Sequence, residues 1–116
     1  MTDDKLSDIE VKVINSTLNF LGEANNKDEQ KEYVISMRKY NDALGFLVEN
    51  RHMAPRPQPF FNVVLFNDSE TIKISKDASY TYFGDSQEEV KLRTDYIERL
   101  TKDIPEIKDR IEVKED

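Results

Sequence analysis

The chain has 116 residues, 35% charged and 37% hydrophobic, with 24 acidic against 17 basic side chains and a net charge of −7. That length fits one domain, able to remove roughly two-thirds of its unfolded surface from water, and the lack of cysteine excludes thiolate catalysis, disulfides and cysteine-held metals. The start MTDDKLSDIE lacks the apolar run of a signal peptide and no stretch approaches the roughly eighteen apolar residues that span a bilayer, so the sequence reads as a soluble cytoplasmic protein.

Ser7-Asp8-Ile9-Glu10 fits a capping box, the Ser7 hydroxyl accepting from the Glu10 amide while Glu10 reaches back. Ile9, Val13 and Phe20 with Ile14, Leu18 and Leu21 then form an apolar face at helical spacing. Residues 9–13 also alternate as a strand does, and their β-branched side chains weaken the helical reading. Asn26 offers a second helix cap. From there Tyr33, Met37, Tyr40, Leu44 and Leu47 repeat at steps of four and three, which predicts a long second helix. Gly22–Lys27 serves as the linker that folds the two helices into an antiparallel pair.

Proline lacks the amide donor and forces its predecessor into extended geometry, so the helix stops before Pro55, and Pro55–Pro59 reads as a stiff connector. Its prolines stand two apart, whereas PxxP ligands need three. Phe60–Phe66 is apolar on both alternations apart from Asn62, the pattern of a strand covered on both faces. Asn67, Asp68 and Ser69 supply a turn, Thr71–Ser75 alternates as a hairpin partner, and Tyr80–Phe83 reads as a third strand. A further capping box at Ser86–Glu89 opens a helix to about Asp103, with Val90, Leu92, Tyr96, Ile97 and Leu100 turned inward. Pro105 starts a new turn. The predicted order is α-α-β-β-β-α, a single α+β domain over residues 1–116: an antiparallel α-hairpin, a small three-stranded antiparallel sheet and a C-terminal helix, with frayed ends at about 1–5 and 112–116.

Phe61-Asn-Val-Val-Leu-Phe-Asn-Asp-Ser-Glu-Thr71 is similar to the segment of the Clp-protease N-degron adaptors in which a strand ending in Asn-Asp precedes a threonine. That resemblance implies a peptide N-terminal amine held by Asn67, Asp68 and Thr71. It covers about eleven residues and then departs: the family continues into a helix and supplies a later histidine, whereas here the chain continues as TIKISKDAS and its one histidine, His52, lies upstream. A polar turn after an apolar strand is the ordinary explanation.

His52 is the sole imidazole for acid-base work near neutral pH, and beside Arg51 at a helix end it is equally explained by the helix dipole. Three glycines in the chain leave little to build a phosphate cradle, and no nucleotide motif occurs. Asp68 and Glu70 match no calcium loop, so no metal and no cofactor are expected. The negative charge repels phosphate backbones, which argues against direct nucleic-acid binding, and the expected partner is a more basic protein.

Two surfaces are candidates for that contact. One is the stiff, net-positive loop Arg51–Gln58, with Arg51, His52 and Arg56; the other is the acidic band of the last helix, with Glu88, Asp95, Glu98 and Asp103. The reading is thus a non-enzymatic acidic interaction protein of the inhibitor, immunity-protein or adaptor type, a kind that phages and mobile elements encode. Two alternatives belong to other classes: a homo-oligomer assembled through the Tyr33–Leu47 helical seam, and a small enzyme around His52.

Overall fold

The capping box forms as read: the Ser7 amide donates to Glu10 Oε1 at 2.8 Å and the Glu10 amide to Ser7 Oγ at 3.2 Å. In the computed structural model, which describes residues 6–27, 32–51, 58–76 and 87–114, this motif opens helix α1 (Asp8–Lys27). The helix takes in the whole of Gly22–Lys27, expected as a linker, because tertiary bonds hold its end. Arg99 donates to both Glu23 carboxylate oxygens at 2.6 and 3.2 Å. Asn25 exchanges two bonds with the backbone of Tyr33, donating to its carbonyl at 3.0 Å and accepting from its amide at 2.7 Å.

The predicted second helix is instead a β-hairpin, β1 (Tyr33–Lys39) and β2 (Ala43–Asn50). Apolar residues at steps of four and three satisfy a helix, but also two strands around a short turn. Local chemistry decides: Asn41 and Asp42 are turn residues, the Tyr40 amide donates to the Ala43 carbonyl at 2.7 Å, and Leu44, Phe46 and Val48 alternate into the core. Gly45 alone costs a helix about 1 kcal/mol. The helical seam proposed for self-assembly therefore does not form.

Strands β3 (Gln58–Phe66) and β4 (Thr71–Lys76) make the expected hairpin, and a fifth strand, β5 (Ile111–Lys114), lies parallel to β4 where a frayed end was expected. The α+β class stands, but the sheet is mixed and five-stranded, in the order β1-β2-β3-β4-β5. The expected strand Tyr80–Phe83 lies outside the described residues. In the β3–β4 turn Glu70 adopts a left-handed backbone, φ 54, and its carboxylate accepts from Arg110.

Helix α2 (Gln87–Asp103) ends where predicted and is followed by a 3₁₀ turn over Pro105–Arg110. Its core face is Leu92, Tyr96 and Leu100, with Glu89 and Arg93 buried beside them, whereas Val90, expected inside, is exposed. Both helices cover one side of the sheet. Tyr96 is the centre of that layer: its ring lies 5.6 Å from Phe20 of α1 and 5.8 Å from Phe61 of β3. Its hydroxyl meets Thr17 Oγ1 at 2.7 Å, and Thr17 in turn donates to the Val13 carbonyl, so no polar atom of the pair is stranded. Burial pushes the Tyr96 phenol well above its ordinary range.

Register places Leu44, Leu65 and Ile72 in one cross-strand row and Phe46, Val63 and Ile74 in the next, all buried under the helices. A bulge at Val48/Glu49 leaves Phe60 without a counterpart and lets both Phe60 and Phe61 turn inward. β3 is therefore covered by helices on one face only, and Asn62, Val64 and Phe66 are half-buried on the other, contrary to the expectation of a strand covered on both sides.

One polar node ties the layers together. Glu10, 1% exposed, accepts from Lys39 Nζ at 2.7 Å at the end of β1. With its amide nitrogen turned toward Glu10, Asn67 donates to Glu10 Oε2 at 2.8 Å and accepts from Lys39 at 3.1 Å. Burial pushes the Glu10 carboxyl up, but the Lys39 ammonium and the Ser7 amide outweigh it and hold it below its ordinary 4.5.

Leu65→Asp is expected to abolish cooperative folding, since an unpaired buried charge costs several kcal/mol against a total stability of about 5–15. Val64→Asp should leave a folded protein, and thermal melts followed by circular dichroism distinguish the two. A carboxyl with a lowered folded pKa contributes stability above its unfolded pKa and loses it as pH falls through the folded value. Stability should therefore fall below pH 4.5. Glu10→Gln should cost about 1–3 kcal/mol at pH 7 and flatten that acid limb in urea titrations.

Candidate functional site

With both helices on one side, the other side of the sheet is left open. Side chains alternate across a strand, so the register fixes which residues share that face. One row is Arg38, Gly45, Val64, Lys73 and Glu112, and the next is Ser36, Leu47, Asn62 and Ser75. Ser36, Arg38, Gly45, Leu47, Asn62, Val64 and Ser75, together with Met37 and Tyr40, surround a shallow depression of about 570 Å³. Gly45 forms its floor: a Cβ there would stand 3.5 Å from the Tyr40 ring, so the ring already leans over the glycine.

The face has mixed chemistry. Leu47 and Val64 are half-buried and Tyr40 is exposed, giving apolar area that neither helix covers. Arg38 and Lys73 sit in the same row with two strands between them, about 14 Å apart at the usual spacing of strands. Neither has a carboxylate partner among the described residues, and Lys73 lies 5.7 Å above the Phe66 ring. Ser36 and Ser75 add hydroxyl groups. A protein of net charge −7 thus carries a partly apolar concavity with Arg38 in its lining and Lys73 in the same cross-strand row.

Of the residues singled out from sequence, the described Arg51, Asp95, Glu98 and Asp103 do not line that depression. His52 and Arg56 lie outside the described residues, as does the side chain of Glu88, while Arg51 is exposed and donates its amide to the Glu32 carbonyl at 2.7 Å. On α2, Asp95 is engaged by Lys91 at 2.9 Å. Asp103 accepts from Ser16 at 2.8 Å and Arg99 at 3.0 Å, which hold its carboxyl below the ordinary 3.8. Glu98 is exposed. Asn67, placed by the adaptor resemblance in an amine-binding role, is turned to Glu10 and Lys39.

Sequence reasoning passed over Arg38, Tyr40, Gly45, Val64 and Lys73. The sequence carries a signal for one of them, Arg38: residues 33–59 hold four basic against two acidic side chains, an excess that belongs in part to β1 and not to the proline loop alone. Among the described residues no three His, Asp or Glu side chains come together as metal ligands, and no helix is long and apolar enough to cross a membrane. Comparison with protein-family models, curated proteins and solved structures finds no match for the chain.

Gly45→Ala should fit, since the added Cβ makes only ordinary contacts, and should stabilise by about 0.5 kcal/mol through the unfolded chain. Gly45→Leu should displace Tyr40 and fill the depression. Quenching of tyrosine fluorescence by acrylamide, compared between the two variants, reads the ring's displacement.

Proposed function

We propose that this chain is a non-enzymatic protein-binding domain, an inhibitor, immunity protein or adaptor in kind, and that the open face of its sheet is the contact surface. The observation that carries this reading is the row Arg38–Gly45–Val64–Lys73: two cations without carboxylate partners among the described residues, on either side of a glycine-floored apolar depression. Rigid strands hold these groups, so little order has to be imposed when a partner docks. Net charge −7 favours the approach of a basic protein at long range. The docked contact then asks that protein for an apolar segment with a carboxylate in reach of Arg38 or Lys73. Relative to the acidic band of α2, this face is the better-supported surface, because Asp95 and Asp103 are already engaged within the molecule.

Affinity capture from the native cell with the parent chain, followed by binding measurements on what it retains, tests the assignment. An Arg38→Glu, Lys73→Glu variant should keep its melting transition and lose binding at least tenfold. A Glu98→Lys, Asp103→Lys variant should bind within about threefold of the parent, since rim charges act mainly on the association rate. The opposite ranking would return the contact to α2.

A further inference from the structure

The outer edge of β1 has a second, separate property. The Tyr40 amide bonds the Ala43 carbonyl, and antiparallel pairing alternates, so Arg38, Ser36 and Val34 direct their backbone groups to β2. Lys39, Met37, Ile35 and Tyr33 therefore direct theirs to the free edge of the sheet. Tyr33 is already satisfied there, since Asn25 of α1 takes both its amide and its carbonyl as a neighbouring strand would. Among the described residues nothing pairs with the outward groups of Ile35, Met37 and Lys39. The open edge is three pairing positions long and centred on Met37.

The helix beside this edge is prepared in the same way. α1 runs antiparallel to β1 and is fastened at both ends, Glu10 to Lys39 and Asn25 to Tyr33. Val11 and Leu18 stand fourteen and seven residues before Asn25, on the helical line that reaches the edge, and they are 41% and 48% exposed. Met37 on the strand below is 49% exposed. In a chain that is 35% charged, the ten residues Val13–Gly22 carry no charge, including the exposed Asn15, Asn19 and Gly22. An uncharged, apolar ledge above an unpaired strand edge is what other proteins blunt with charge.

We infer that this edge is a homodimer interface, in which β1 of one copy pairs antiparallel with β1 of a second about a two-fold axis at Met37. The register follows from the residues. Pairing Ile35 with the partner copy's Met37 would set Tyr33 opposite Lys39, where Asn25 stands in the way. Pairing Met37 with Lys39 would set the two Arg38 side chains directly opposite, which like charges disfavour. Pairing Met37 with Met37 avoids both and sets Arg38 against Ser36. The helices then match as well. Met37 lies a third of the way from Lys39 to Tyr33, and the corresponding point on α1 is Asn15, midway between Val11 and Leu18. Val11 of each copy thus meets Leu18 of the other. The interface is small, at the lower end of about 1,200 Å² or less, so micromolar dissociation is expected.

Sedimentation equilibrium over a concentration series should show a monomer passing to a dimer. Because the chain has no cysteine, Met37→Cys places a single thiol on the axis, where directly paired residues lie about 5.5 Å apart, within disulfide reach. Mild oxidation should give a covalent dimer from Met37→Cys and little from Ser69→Cys at the exposed β3–β4 turn. Leu18→Glu, on an exposed helical site that leaves the monomer folded, should weaken dimerisation at least tenfold. A monomer at concentrations near 1 mM, or a dimer that survives Leu18→Glu and does not crosslink through position 37, overturns the inference. Met37 also borders the depression, but the oligomeric state of the parent chain and the Leu18→Glu variant do not involve the open-face contact, so either proposal can fail alone.

Discussion

A carboxylate removed from water must be matched by donors in fixed positions, and Glu10 meets that demand with groups from three separate parts of the chain. The Ser7 amide is local, Lys39 closes β1, and Asn67 begins the β3–β4 turn. Removing any one leaves the others with buried polarity to satisfy, so the helix start, the edge strand and the second hairpin are locked to one arrangement. Such nodes contribute more to uniqueness than to net stability, because desolvation offsets much of the attraction. Apolar contacts around Tyr96 supply the larger share, and a hydrophobic layer alone tolerates slippage that this node does not.

From that lock follows the sidedness of the molecule. α1 is held along β1 at both ends, α2 is joined to α1 by Arg99 with Glu23 and by Ser16 with Asp103, and both helices lie on the same face. Every residue that alternates away from them is left for another use. The open row is consequently made of small, charged and half-apolar residues, in place of the isoleucines, leucines and phenylalanines of the covered rows.

How much of this the sequence disclosed depended on how local the cause was. The capping box at Ser7 and Glu10, the end of α2 at Asp103, and the turn after Phe66 are settled by neighbours within a few residues, and were legible. Residues 33–50 were misread because their apolar spacing suits two structures, and only the pairing of β2 with β3 resolves the choice. β5 was missed because four residues, IEVK, carry almost no pattern until Ile111 meets Ile72. The candidate site was less legible still: Arg38, Gly45, Val64 and Lys73 come from four strands, and nothing in their linear order joins them before the register is known.

The placement of β5 also bears on the order of assembly. β1 to β4 form a meander whose neighbours in space are neighbours in sequence, so each hairpin closes a short loop at small entropic cost. β5 pairs with β4 across thirty-nine residues, from Ile72 to Ile111, with all of α2 between them. Loop closure of that span must be met before its contacts can repay it, which places the fifth strand late on the folding route. Until then the far edge of β4 is bare while the rest of the sheet already stands, and the nascent chain passes through an interval with unpaired strand at both margins.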